Sequence, residues 1–127
     1  MTTNLDPIVT NQQFRARWVL RGLEHEDEQF RISPSATVEA IIKSPRGNTA
    51  YTPWVTLNHD DNRDDNWSLS TIDLIFDSAH TALVVNTDTA IIAVRIQGVF
   101  VDRDGTDTTD TYDKIFSALY PVEEGLA

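Results

Sequence analysis

The sequence predicts an all-β fold, an antiparallel β-sandwich of the jelly-roll or Ig-like (immunoglobulin-like) kind with a short C-terminal helix. Three observations predict it. Separate stretches alternate apolar and polar residues with period two, the pattern of a strand with one buried face. Turn signals divide these stretches, as at "SPRGN" and at Asp104-Gly105. No internal repeat or composition break marks a solenoid or a second domain. The 127 residues therefore read as residues 1–13, an N-terminal arm, then 14–121, one β-sandwich domain, then 122–127, a C-terminal tail.

The elements follow in order. Residues 1–13 are polar apart from Ile8-Val9, and Pro7 favours an extended path at Asp6, so this stretch reads as a flexible or docking arm. In "FRARWVLR", Phe14, Ala16, Trp18 and Leu20 alternate with Arg15, Arg17 and Arg21, which predicts a strand with a cationic outer face. In "ATVEAIIKSPRG", Val38, Ala40 and Ile42 share one face between Pro34 and Pro45. "YTPWVTL" sets Tyr51, Val55 and Leu57 on one side, and Pro53 makes it an edge strand because proline cannot donate to a ladder. Trp54 is out of phase with that set and reads as an exposed interface anchor.

"NHDDNRDDNW" follows, with Asp60, Asp61, Asp64 and Asp65 ahead of Trp67. It reads as a solvated connection, because Asp and Asn side chains bond their own backbone. Beyond it, Trp67 and Leu69 are out of phase with Ile72, Leu74 and Phe76, which predicts a bulge or bend at Ser70-Thr71. A short strand is expected around Ala82–Val85. "TAIIAVRIQGVFVD" is apolar on both faces and reads as a central strand. Asp104-Gly105 predicts a two-residue hairpin turn. Tyr112, Ile115, Phe116 and Leu119 then fall at i, i+3, i+4 and i+7, which predicts a helix capped by Asp110 and stopped by Pro121. A strand starting near Thr108 is the competing reading.

Charge and composition exclude several functions. Twenty acidic against ten basic residues give a net charge of −10, and a negative field repels phosphate backbones, so no nucleic acid is expected as a partner. The absence of cysteine removes disulfides, thiol nucleophiles and thiolate metal sites. No apolar run reaches about 18 residues, so no membrane span is expected. The start lacks a basic and an apolar signal region, so the chain is expected to stay in the cytosol or to leave as part of something larger.

No catalytic residues emerge. His25, His59 and His80 lack paired metal-ligand spacing and read as surface residues. A serine elbow and a glycine-rich phosphate loop are both missing. Clustered aspartates stay solvated and ionised, unlike the split pair that glycoside hydrolysis needs. A calcium set would come from Asp102, Asp104 and Asp107, yet the spacing departs from the helix–loop–helix template, with Phe100 at its first position. No cofactor is expected.

A pattern running from "ATVEAIIKSPRG" through "NWSLSTIDLIF" to "TALVVNTDTAIIAVRIQGVFVDRDGT" spans about Ala36 to Thr106. It resembles the small β-sandwich domains of tailed-bacteriophage virion proteins, particularly baseplate upper and tail-fibre attachment proteins. The resemblance is one of strand rhythm. It implies a non-enzymatic virion structural protein, assembled in the bacterial host cytoplasm, with other virion proteins as partners and a homo-oligomeric state. The chain ends soon after the sandwich, so a small tail, baseplate, neck or fibre-attachment adaptor is implied, or a capsid decoration (cement) protein. Trp54 and the arginine face of Arg15, Arg17 and Arg21 are the expected interface. A carbohydrate-binding module with acidic loops is the reading from another class.

Overall fold

The computed structural model describes residues 6–19, 24–25, 28–29, 32–46, 49–59, 71–102 and 104–125. Arg21, Asp60, Asp61, Asp64, Asp65, Trp67 and the slip at Ser70 lie outside the described residues.

The elements are β1 (Ile8–Val9), β2 (Phe14–Val19), β3 (Glu24–His25), β4 (Glu28–Gln29), β5 (Thr37–Lys43), β6 (Val55–Thr56), β7 (Thr71–Phe76), α1 (Ser78–Thr81), β8 (Thr89–Val101) and β9 (Asp107–Glu123). Five strands form one curled sheet in the order β1-β9-β8-β5-β6. β2 and β7 form a second sheet, and β3 and β4 pair separately. The fold is all-β and sandwich-like, as the alternation predicts.

Two-sided apolarity puts β8 where it belongs, between β9 and β5. Its Ala90, Ile92, Val94 and Ile96 face the core beside Val38, Ala40 and Ile42 of β5. From the opposite layer, β2 supplies Phe14, Ala16 and Trp18, and β7 supplies Ile72, Leu74 and Phe76. Each fully buried Ile, Leu or Phe contributes about 1.5–3 kcal/mol of transfer free energy. Tyr120 of β9 joins the layers: Phe14 meets it edge-on, Trp18 stacks parallel to it, and the Trp18 Nε1–H donates to its hydroxyl. β6 is an edge strand, as Pro53 implies.

Five expectations are corrected. The C-terminal helix is instead the 17-residue strand β9. Tyr112, Phe116 and Tyr120 are four apart, which satisfies a helical stripe and a period-two face equally. The neighbouring β8 supplies a ladder from Thr89↔Pro121 to Val99↔Thr111, and that decides for strand.

The strand expected around Ala82–Val85 is a turn after α1. Asp77 caps α1 by accepting the His80 N–H at 2.9 Å, and the Leu83 and Val84 amides bond back to His80 and Thr81. Those amides are spent locally and cannot join a ladder.

The hairpin loop between β8 and β9 is longer than two residues. The Gly105 N–H donates to the Asp102 carbonyl, the Asp102 N–H donates to Thr106, and Gly105 takes φ 80°. This is the pattern of a three-residue loop closed by a left-handed glycine.

His59 is buried, and its Nε2–H donates to the Ala36 carbonyl at 2.7 Å, so it is not a surface residue. Finally, the sheet is not purely antiparallel, and of the two readings of the arm, flexible or docking, its Ile8-Val9 segment takes the docking one. β1 runs parallel to the end of β9, with Ile8 fully buried opposite Val122.

Candidate protein-interaction face

The five-stranded sheet covers the core with one face and turns the other outward. Strand alternation decides which side chains the outer face carries. On β9 they are Asp113, Ile115, Ser117 and Leu119; on β8, Ile91, Ala93, Arg95 and Gln97; on β5, Glu39, Ile41 and Lys43. Register aligns them in rows: Lys43–Ile91–Leu119, Ile41–Ala93–Ser117 and Glu39–Arg95–Ile115.

Aliphatic residues in all three rows make an apolar stripe. Ile115 is 58% exposed and Leu119 52% exposed, whereas Ile41 and Ala93 are buried. Trp54 is 41% exposed and stays out of the core that its neighbour Val55 contacts. It directly precedes the edge strand β6, which pairs with β5 at Glu39↔Thr56 and Ala40↔Val55. A polar rim closes one end of the stripe. Arg95 donates to both oxygens of Asp113 at 3.0 and 2.8 Å, and the Gln97 amide donates to the same carboxylate at 3.2 Å. The hydrogen bond from Arg95 holds the Asp113 carboxyl below its ordinary value, and the same bond raises the Arg95 guanidinium.

The structure does not gather the expected interface residues. Trp54 directly precedes β6 of the large sheet, whereas Arg15 and Arg17 stand on the outer face of the β2–β7 sheet. Arg17 is already engaged with Asp73 of the adjoining strand, at 2.7 and 3.4 Å, and Arg15 donates to the Gln13 side chain at 3.1 Å. The arginine row is therefore a partly neutralised face and not a bare cationic patch.

The calcium candidates do not converge either. Asp102 Oδ1 accepts the amides of Asp104 and Thr106 at 2.9 and 3.0 Å, so it closes the hairpin loop. Among the described residues, no three His, Asp or Glu side chains gather around a common point. Also among the described residues, no helix is long and apolar enough to cross a membrane.

Sequence reasoning missed Ile115 and Leu119 as surface residues. Reading 112–119 as a helix put Ile115 and Leu119 on the buried stripe. The period-two set Phe116, Ala118, Tyr120 was the signal for the opposite assignment. Comparison with protein-family models, with curated proteins and with solved structures finds no match for this chain.

Proposed function

We propose that this protein is a non-enzymatic structural component that works through protein–protein contacts. In this reading it is a tailed-bacteriophage virion protein, acting as a small tail, baseplate, neck or fibre-attachment adaptor. Its partners are other virion proteins and further copies of itself.

The observation that carries the reading is the outer face of the five-stranded sheet. Ile115 and Leu119 lie exposed there, Trp54 is exposed just before the edge strand β6, and an apolar patch rimmed by polar groups is the ordinary signature of a contact surface. The β-sandwich-like architecture agrees with the strand rhythm on which the bacteriophage resemblance rests. Aromatic anchors such as Trp54 supply a disproportionate share of interface energy.

The test is incorporation into particles. A tagged copy is expressed during infection, purified virions are separated into tail and capsid fractions, and each is assayed by mass spectrometry. The protein is expected in the tail fraction, and Trp54→Ala is expected to lower its occupancy at least tenfold, an effect of about 1.4 kcal/mol or more. Recovery in the capsid fraction assigns a decoration role instead. Absence from purified particles overturns the virion reading.

A further inference from the structure

We propose that two copies of the chain pair through β9, antiparallel and centred on Ser117, joining their five-stranded sheets into one continuous sheet. This deepens the contact role proposed above by naming one partner. It rests on that role for the burial of Ile115 and Leu119, and on the backbone of β9 for the rest.

The backbone argument comes first. β9 has β8 along one side, and on the other side β1 covers only Val122 and Glu123. Among the described residues, the remainder of that second edge has no strand partner. Two hydrogen bonds set the direction of every amide in the strand. The Val122 N–H donates to Asp88 on the β8 side, while the Glu123 carbonyl accepts the Thr10 N–H on the other. Antiparallel pairing alternates strictly, so even-numbered residues address β8 and odd-numbered ones face away. Asp113, Ile115, Ser117 and Leu119 therefore aim their N–H and C=O groups at the open edge. Their side chains are exposed as well.

Monomeric proteins blunt such edges with short strands, bulges, prolines or covering segments. β9 has these devices at its ends only: a register shift near Val99/Val101 at one, Pro121 and β1 at the other. Pro121 is an odd residue, so its missing N–H costs the existing ladder nothing. Among the described residues, the middle of the edge carries none of these devices.

The sequence of that middle favours a second copy over an unrelated peptide. Ile115 and Leu119 lie symmetrically about Ser117. Antiparallel pairing centred there sets Ile115 against the partner's Leu119, and Leu119 against the partner's Ile115. Four aliphatic side chains then meet on one face and continue the row of Ile91 on each side. Odd residues oppose odd residues, so the outward amides of Ile115, Ser117 and Leu119 meet in matched pairs, and only the end pair of Asp113 with the partner's Pro121 lacks one donor. Charge agrees. The chain carries −10, but residues 113–121 hold one Asp and one Lys, and Asp113 is already joined to Arg95. In this register Asp113 faces the partner's Pro121 and Lys114 faces the partner's Tyr120, so no like charges oppose. Asp107, Asp110 and Glu124 fall outside the paired stretch.

The native chain has no cysteine, so Ser117→Cys introduces a single thiol. Hydrogen-bonded antiparallel partners stand about 5.5 Å apart at Cα, within the usual disulfide range of about 4.4–6.8 Å. The expected result is a wild-type mass twice the chain's 14.3 kDa by light scattering, and a covalent dimer when S117C is oxidised. An Arg15→Cys control, on the other sheet, should remain uncrosslinked. Ile115→Lys with Leu119→Lys should give a monomer with unchanged strand content by circular dichroism, since both side chains are exposed. A wild-type monomer throughout a concentration series overturns the proposal, as does a dimer that survives the double lysine variant. The particle test reads Trp54, which this pairing does not use, so either proposal can fail while the other stands.

Discussion

At the scale of single residues, two positions make the packing measurable. Gly98 lies in β8 where a side chain would have no room: an added Cβ would sit 2.7 Å from the Ala36 Cβ and 3.0 Å from its Cα. Gly98→Ala is expected to destabilise the fold by about 1–3 kcal/mol through overpacking, read as a lower urea midpoint. Adding Ala36→Gly should recover part of the loss. Tyr112 gives a pH signature. Burial pushes its phenol up to about 12, and Tyr120 moves in the same direction, chiefly by burial. Unfolded tyrosine titrates near 10. With the folded value above the unfolded one, the native state keeps a proton that the unfolded chain releases. Stability is complete below about pH 10 and falls as pH rises toward about 12. Denaturation midpoints measured on both sides of pH 10 should show this decline, and Tyr112→Phe should make it shallower.

At the scale of elements, Tyr120 ties the two layers together. It receives the Trp18 Nε1–H from β2 and the edge of Phe14 while belonging to β9 of the other sheet. Tyr120→Phe preserves the ring contacts and removes the acceptor. The partly buried indole N–H is then left without that bond, at an expected cost of about 1–3 kcal/mol in urea unfolding. A change below a few tenths of a kcal/mol would show that Trp18 finds water instead. Pro121 makes a related point about β9. A proline reads as a stop signal in a helix, yet it is harmless in a strand whose amide at that position faces away from the ladder. The same geometry leaves the edge of β9 open.

At the scale of the whole molecule, much of the architecture was legible from local pattern. The all-β class, the central place of "TAIIAVRIQGVFV", the edge position of the Val55–Thr56 strand and the inward phase of Phe14, Ala16 and Trp18 all followed from period two and proline chemistry. The candidate site was less legible. Trp54 was read as exposed from its phase, but Ile115 and Leu119 were assigned to a helix because their spacing fits a 3.6-residue period. Residues four apart lie on one face of a helix and of a strand alike, so only a partner can separate the two. β8 is that partner, and its ladder turns the supposed helical stripe into an outer sheet face. The burial of His59 was hidden for the same reason, since the Ala36 carbonyl that holds it is 23 residues away in sequence. By itself the sequence determined which segments could form half-buried strands, that the chain must turn around Asp104-Gly105, and the acidic, cysteine-free chemistry of the surface. These depend on side-chain period, backbone freedom and charge, all local properties. The tertiary structure alone decided which strands lie together, which layer carries Arg17 and which carries Trp54, and which backbone edge is left open. Those depend on long-range hydrogen-bond pairing, and no short stretch of chain contains both partners.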